Sequence, residues 1–135
     1  MNGPIIVLDS GAIDQVATNQ PFRTVVRELA KAGWHVVIPT VVLAEVITGR
    51  PIDAATNHAV NRLGTEHTDE ATARVAGRLR AGVERAGRQR IPSGIDAIVA
   101  AHAVGSGEQS VVFTTDVSDL QRLLADHPRV AVERP

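Results

Sequence analysis

Short, unbroken apolar runs alternate along the chain with longer segments of helical period, the signature of an α/β domain with a largely parallel sheet covered on both faces. Ile5-Ile6-Val7-Leu8 is apolar at every position rather than every second one, as strands buried on both faces are. It ends at Asp9-Ser10-Gly11, which reads as a turn. Pro21 to Lys31 has helical spacing and closes at Gly33. Trp34 to Ile38 is the second strand, running through Pro39 into a helix capped by Thr40 and stopped by Gly49. A further helix is expected over Ile52 to Leu63, a short strand at Thr65 to Thr68, and a long amphipathic helix from Asp69 to about Gly87 with Val75, Leu79 and Val83 as its core stripe. Arg88-Gln89-Arg90 connects to a helix over Gly94 to Val104, and Gly105-Ser106-Gly107 is a loop. The clearest late strand is Ser110 to Thr115, followed by a helix over Ser118 to Ala125 and an edge strand over Val130 to Val132. With no repeat, low-complexity tract or linker, residues 1–135 read as one domain.

Composition narrows the chemistry. At 135 residues and 44% apolar content the chain can bury one proper core. It has no cysteine, which removes disulfides, thiolate zinc sites and cysteine nucleophiles and fits a reducing, cytoplasmic setting. The N-terminus lacks a basic segment and meets Asp9 early, and the most apolar stretch, Val36 to Ile47, is broken by Pro39, Thr40 and Glu45, so neither a signal peptide nor a membrane span is expected. Aromatic residues are 2% of the chain, which leaves charge rather than base stacking as the means of holding a nucleic acid. The net charge of −1 hides a polarity: residues 74 to 90 hold six arginines against Glu84 alone, a local +5, leaving −6 elsewhere. An arginine-coated solvated helix explains that strip equally well.

The acidic residues fall where the topology concentrates them. In an open parallel sheet the strand C-termini and helix N-termini share one edge, where ligands bind. Asp9 ends the first strand and Asp116 follows the strand of the 110s, while Glu45 and Asp96 lie in the early turns of helices that start from that edge. Each also has a plainer reading. Asp9 and Asp116 suit a turn or a helix cap, and Ser93-Gly94-Ile95-Asp96 is a capping box in which the acid bonds back to the Ser93 amide. Glu45 differs, because its neighbours Val41, Val42, Leu43, Ala44, Val46 and Ile47 are all apolar and a lone carboxylate among them calls for a partner. Converging carboxylates raise one another's pKa values unless a cation neutralises them. Oxygen ligands without cysteine or a paired-histidine motif favour Mg²⁺ or Mn²⁺ over Zn²⁺, and the five histidines read as surface or structural.

Taken in order, Ile6-Val7-Leu8-Asp9-Ser10-Gly11, Ile38-Pro39-Thr40-Val41-Val42-Leu43-Ala44-Glu45-Val46, Ile95-Asp96-Ala97-Ile98-Val99-Ala100-Ala101 and Phe113-Thr114-Thr115-Asp116-Val117-Ser118-Asp119-Leu120 resemble the PIN-domain family over nearly the whole chain. The resemblance implies a three-layer α/β/α domain with a central, mostly parallel sheet, and a metal quartet of Asp9, Glu45, Asp96 and Asp116. It also implies a hydroxyl at Thr114, an assisting Ser10 and a fifth acid at Asp119, whose place near a helix N-terminus has its own dipole explanation. A chain of this length without fused modules is similar to the VapC-type toxins of bacterial toxin–antitoxin pairs. That implies an Mg²⁺- or Mn²⁺-dependent endoribonuclease, a homodimer, and a small VapB-like antitoxin that blocks the acidic site. Arg74, Arg78 and Arg85 share one helical stripe and are candidates to hold the RNA backbone. The alternative from another class is a non-catalytic, Mg²⁺-binding signalling or partner-binding module. The signalling version would want a second acid beside Asp9 and a lysine after the last strand, whereas the only lysine is Lys31.

Overall fold

The computed structural model describes residues 3–87 and 90–135, so Arg88 and Gln89, expected in the connection before the Asp96 helix, lie outside the described residues. In chain order the elements are β1 (Ile5–Leu8), α1 (Ser10–Thr18), α2 (Gln20–Lys31), β2 (His35–Val37), a 3-10 turn (Thr40–Val42), α3 (Leu43–Val46), α4 (Asp53–Leu63), α5 (Glu70–Ala86), α6 (Gly94–Gly105), β3 (Ser110–Phe113), α7 (Val117–Leu123) and β4 (Val130–Glu133). Among the described residues no helix is long and apolar enough to cross a membrane.

The four strands form one parallel sheet in the order β2-β1-β3-β4. β1 is paired on both sides, and Ile6, Val7 and Leu8 are all 0% exposed, which is why that strand shows no alternation. β4 pairs only with β3 and alternates between half-buried and exposed residues, as an edge strand does. Strand order runs outward in opposite directions from the central pair, Leu8 standing opposite Phe113. Right-handed crossovers therefore place the β1–β2 helices on one face and the β3–β4 helix on the other. α1 packs against α2, α3 and α4, while α6 packs against α5 and α7, giving the expected α/β/α layers. The reversal of strand order between β1 and β3 opens a crevice beyond Leu8 and Phe113.

Several local expectations give way to tertiary context. Asp9-Ser10-Gly11 is no turn: α1 starts at Ser10, and Asp9 is its N-cap, accepting the Ala12 amide at 2.8 Å. Ala12, Ile13 and Val16 bury its inner face. The helix expected from Thr40 to Gly49 shrinks to the 3-10 turn and the single turn of α3, and Thr40 caps neither. The strand expected at Thr65 to Thr68 is one isolated parallel bridge, Pro39 with Glu66. His102, one of the histidines read as surface or structural, is buried on α6 with Nε2 3.0 Å from the Thr68 hydroxyl, tying that helix to the bridge segment.

Candidate metal centre

The crevice beyond the central strands is built from β1, β3 and the starts of α6 and α7. Asp9 closes β1, its amide donating to the Phe113 carbonyl at 3.3 Å, and the residue is 5% exposed. One carboxylate oxygen caps α1; the other accepts from the hydroxyl of Thr114, itself fully buried. The Thr114 oxygen in turn accepts the Asp116 amide at 2.8 Å. A single hydroxyl thus fixes the acid after β1 relative to the acid after β3, using its donor on one and its acceptor on the other.

Asp116 stands at the N-cap position of α7 yet makes no side-chain cap bond, and its carboxylate meets that of Asp119 instead. Asp96 lies in the first turn of α6, where Ser93 Oγ accepts its amide at 3.0 Å. Only that half of the capping box forms. The Asp96 carboxylate turns instead toward Asp116 and Asp119, and one oxygen from each of the three lies within 4.8 Å of the others. The plain capping explanation therefore holds for Asp9 and fails for the carboxylates of Asp96 and Asp116.

Electrostatics follow from this crowding. Burial, then Asp116, Asp119, Asp9 and Glu45, push the Asp96 carboxyl up to about 6. Burial also raises Asp9, against the hydrogen bonds from Thr114 and Ala12, with Asp116 and Glu45 adding to the rise. Asp116 is raised by burial and by the neighbouring Asp119. Asp119 goes the other way: burial pushes it up, but Arg122, Asp116 and Arg90 more than offset that and hold it low. It is 1% exposed, one oxygen paired with Arg122 and the other with Arg90 Nη2 at 2.8 Å.

Of the expected quartet, the structure brings Asp96 and Asp116 into the tight group and adds Asp119 as its third member. Asp9 stands behind them, joined through Thr114. Glu45 is exposed on α3, near enough to raise both Asp9 and Asp96, and solvent answers the need for a partner that its apolar neighbours implied. Ser10 is half-buried at the start of α1, beside Asp9. On α5, Arg78 and Arg85 border a cleft toward α7, whereas Arg74 is spent on an exposed pair with Glu70 at 2.8 Å. Arg122 was legible as a partner of Asp119 from their i,i+3 spacing. Arg90 was not, because 29 residues separate it from Asp119.

Oxygen donors from Asp96 and Asp116, crowded, raised and without a direct ion pair among the described residues, fit a hard divalent ion. Gly11 faces the Thr115 side chain where α1 meets the β3–α7 loop. A Cβ there would lie 2.8 Å from Thr115 Cγ2 and 3.0 Å from Thr115 Cβ, so only glycine lets α1 approach the β3–α7 loop this closely. Gly11→Ala is expected to destabilise the fold by about 1–3 kcal/mol and to weaken metal binding by moving Asp9 from Asp116. A urea midpoint and metal affinity both equal to wild type would show that the loop yields without consequence.

No family model matches the chain, and no curated protein matches it. Solved structures do. The chain is similar to a chain of VapBC2 from Rickettsia felis, solved bound to a DNA fragment from its promoter, at 18% identity and TM-score 0.77 over 97% of this chain and 98% of that one. It is similar to a chain of DNA-bound VapBC from Salmonella typhimurium at 23% identity and TM-score 0.70, covering 98% of both. Likeness to VapBC-1 from nontypeable Haemophilus influenzae is 19% identity and TM-score 0.69, over 96% of this chain and 97% of that one. At these identities the likeness is one of fold: the chain shares the α/β architecture of these VapBC chains, as the sequence pattern led us to expect.

Proposed function

We propose that this PIN-fold chain is a cytoplasmic, Mg²⁺- or Mn²⁺-dependent endoribonuclease, the VapC-type toxin of a type II toxin–antitoxin pair. The observation that carries the reading is the group of Asp96, Asp116 and Asp119 oxygens within 4.8 Å of one another, set with Asp9 and Glu45 at the strand-end crevice. A bound divalent ion would supply Lewis-acid stabilisation of a phosphoryl oxygen and a nucleophilic water at neutral pH. Asp96 and Asp116 would hold it, with Asp9 as a third ligand or, through Thr114, as the group that orients Asp116. Glu45, exposed on α3, would bind the metal or orient the attacking water. Ser10 is an assisting hydroxyl in this scheme.

The VapBC likeness supports a small VapB-like antitoxin as partner. A groove of about 350 Å³ between α1, α2 and α4, with Val16, Val26, Ala59 and Leu63 in its wall and Arg23, Arg27 and Arg62 around them, suits an amphipathic helix with acidic flanks. We also assign a homodimer, testable by light scattering.

The test is cleavage of structured RNA with Mg²⁺ or Mn²⁺. Activity that persists in EDTA and in Asp96→Asn removes the proposal, as does a wild-type protein that cleaves no RNA under any metal. The metal also has a stability signature. At about 100 times its Kd, an ion that binds only the folded state adds roughly 2.7 kcal/mol. Because Asp96 titrates at about 6, it must lose a proton to bind. The rise in Tm on adding Mn²⁺ is therefore expected to be larger near pH ~7.5 than near pH ~5, and equal rises would place the ion away from Asp96.

A further inference from the structure

Both carboxylate oxygens of Asp119 are engaged by guanidinium groups, so the third member of the acidic group faces cations that the protein itself supplies. The two arginines differ. Arg122 is largely covered: one amino group pairs with Asp119 and the other donates to the Arg90 carbonyl at 2.6 Å. Arg90 is held at that carbonyl and by its own bond to Asp119, yet 72% of its side chain is exposed. Asp119 and Arg122 form a clamp, and the clamped residue presents a cation to solvent beside Asp96 and Asp116.

From Arg122 a cleft of about 1100 Å³ runs between α5 and α7. Leu79, Val83 and Leu123 lie in its floor, Arg78 and Arg85 on its rim, and among its lining residues the only acid is Asp126. Arg74 belongs to the same helix but is absent from the cleft and neutralised by Glu70. The arginine rim, and Arg122 shared between the cleft and the Asp119 pair, point to one occupant: a single RNA strand with phosphates along the rim and bases turned to the apolar floor.

We propose that Arg90, Arg85 and Arg78 form a phosphate track leading a single RNA strand from the acidic centre into the α5–α7 cleft, with Asp119 and Arg122 as positioning residues for Arg90. This rests on RNA as the substrate and adds its path. It departs from the simpler reading of Arg74, Arg78 and Arg85 as one stripe, and it gives Asp119 an electrostatic duty toward arginine.

The experiment measures binding of a short fluorescent single-stranded RNA in EDTA across a range of salt, so that neither metal nor turnover enters. Arg78→Gln, Arg85→Gln and Arg90→Gln should each weaken binding several-fold and reduce the slope of log affinity against log salt by about 0.7. Arg90→Lys should recover part of the Arg90 loss, and Arg74→Gln should match wild type. Asp119→Asn should shift RNA affinity in the same direction as Arg90→Gln. Arg74→Gln lowering the slope as much as Arg85→Gln would overturn the track, as would unchanged RNA affinity in all three track variants. Altered oligomeric state with unchanged RNA affinity would overturn it too, by assigning the cleft to a second copy. A wild-type protein that binds RNA with this salt dependence but never cleaves it refutes the nuclease reading and leaves the track standing.

Discussion

Asp96→Asn is expected to cut RNA cleavage sharply while making the metal-free protein more stable, two effects that pull in opposite directions. The stability half follows from the sign of the pKa shift. Folding raises the Asp96 carboxyl from an ordinary 3.8 to about 6, so the folded state binds the proton more tightly than the unfolded one. Its contribution is most favourable below about pH 4, falls as pH rises through 4 to 6, and above that stands as a penalty. One pKa unit is worth about 1.4 kcal/mol. Discounted for the partial exposure of the group, the penalty at neutral pH is roughly 1–2 kcal/mol, or about 4–8 °C in Tm for a chain of this size. Asparagine has nearly the same shape, keeps the Ser93 cap on its amide, and cannot ionise. The Tm of the variant should exceed wild type at pH ~7.5, converge with it near pH ~4, and show little increment from Mn²⁺. Cleavage should fall on the order of 10²–10³-fold, the scale of removing one group that stabilises transition-state charge. A metal-free variant less stable than wild type at neutral pH would mean that the carboxylate is a structural cap after all.

Thr114→Val should have the largest effect on the fold itself. Valine fills the same buried space but removes the hydroxyl that donates to Asp9 and accepts from the Asp116 amide. Two polar groups then lose their partners at once. A buried group left unsatisfied costs about 1–3 kcal/mol, and with partial relaxation the loss is expected at roughly 2–4 kcal/mol in a urea titration. The catalytic cost has a separate origin. The hydroxyl sets the distance between Asp9 and Asp116, and a displacement of about 1 Å at reacting groups can cost ~10²-fold. Thr114→Ser retains both bonds and loses only a methyl, about 1 kcal/mol, so it should recover most of the activity. If valine and serine behave alike in both measurements, the methyl matters and the bridge does not.

These effects trace back to features of unequal legibility. The unbroken apolar run of Ile5 to Leu8 announced a central strand, because burial on two faces is written directly into side-chain polarity, while Val130 to Val132, also apolar at each position, read as an edge strand whose alternation of half-buried and exposed residues only the fold shows. Parallel topology then sufficed to send Asp9, Glu45, Asp96 and Asp116 toward one edge. Gly11 misled: two small residues after an acid look like a turn, and the reason they are small, a loop from β3 pressed against α1, is invisible within the segment. Thr40 misled similarly, since the Pro39–Glu66 bridge holds that stretch in place of a long helix.

Hydrophobic period and strand length are local properties, so the sequence by itself determined the layers, the parallel sheet and the edge on which the acids gather. Which carboxylates touch is set by contacts between distant segments, and only the tertiary structure decided it. Thr114 reaches across 105 residues to Asp9, and Arg90 across 29 to Asp119. A carboxylate's partner depends on distances of an ångström or two, and no pattern of apolar and polar positions carries that information.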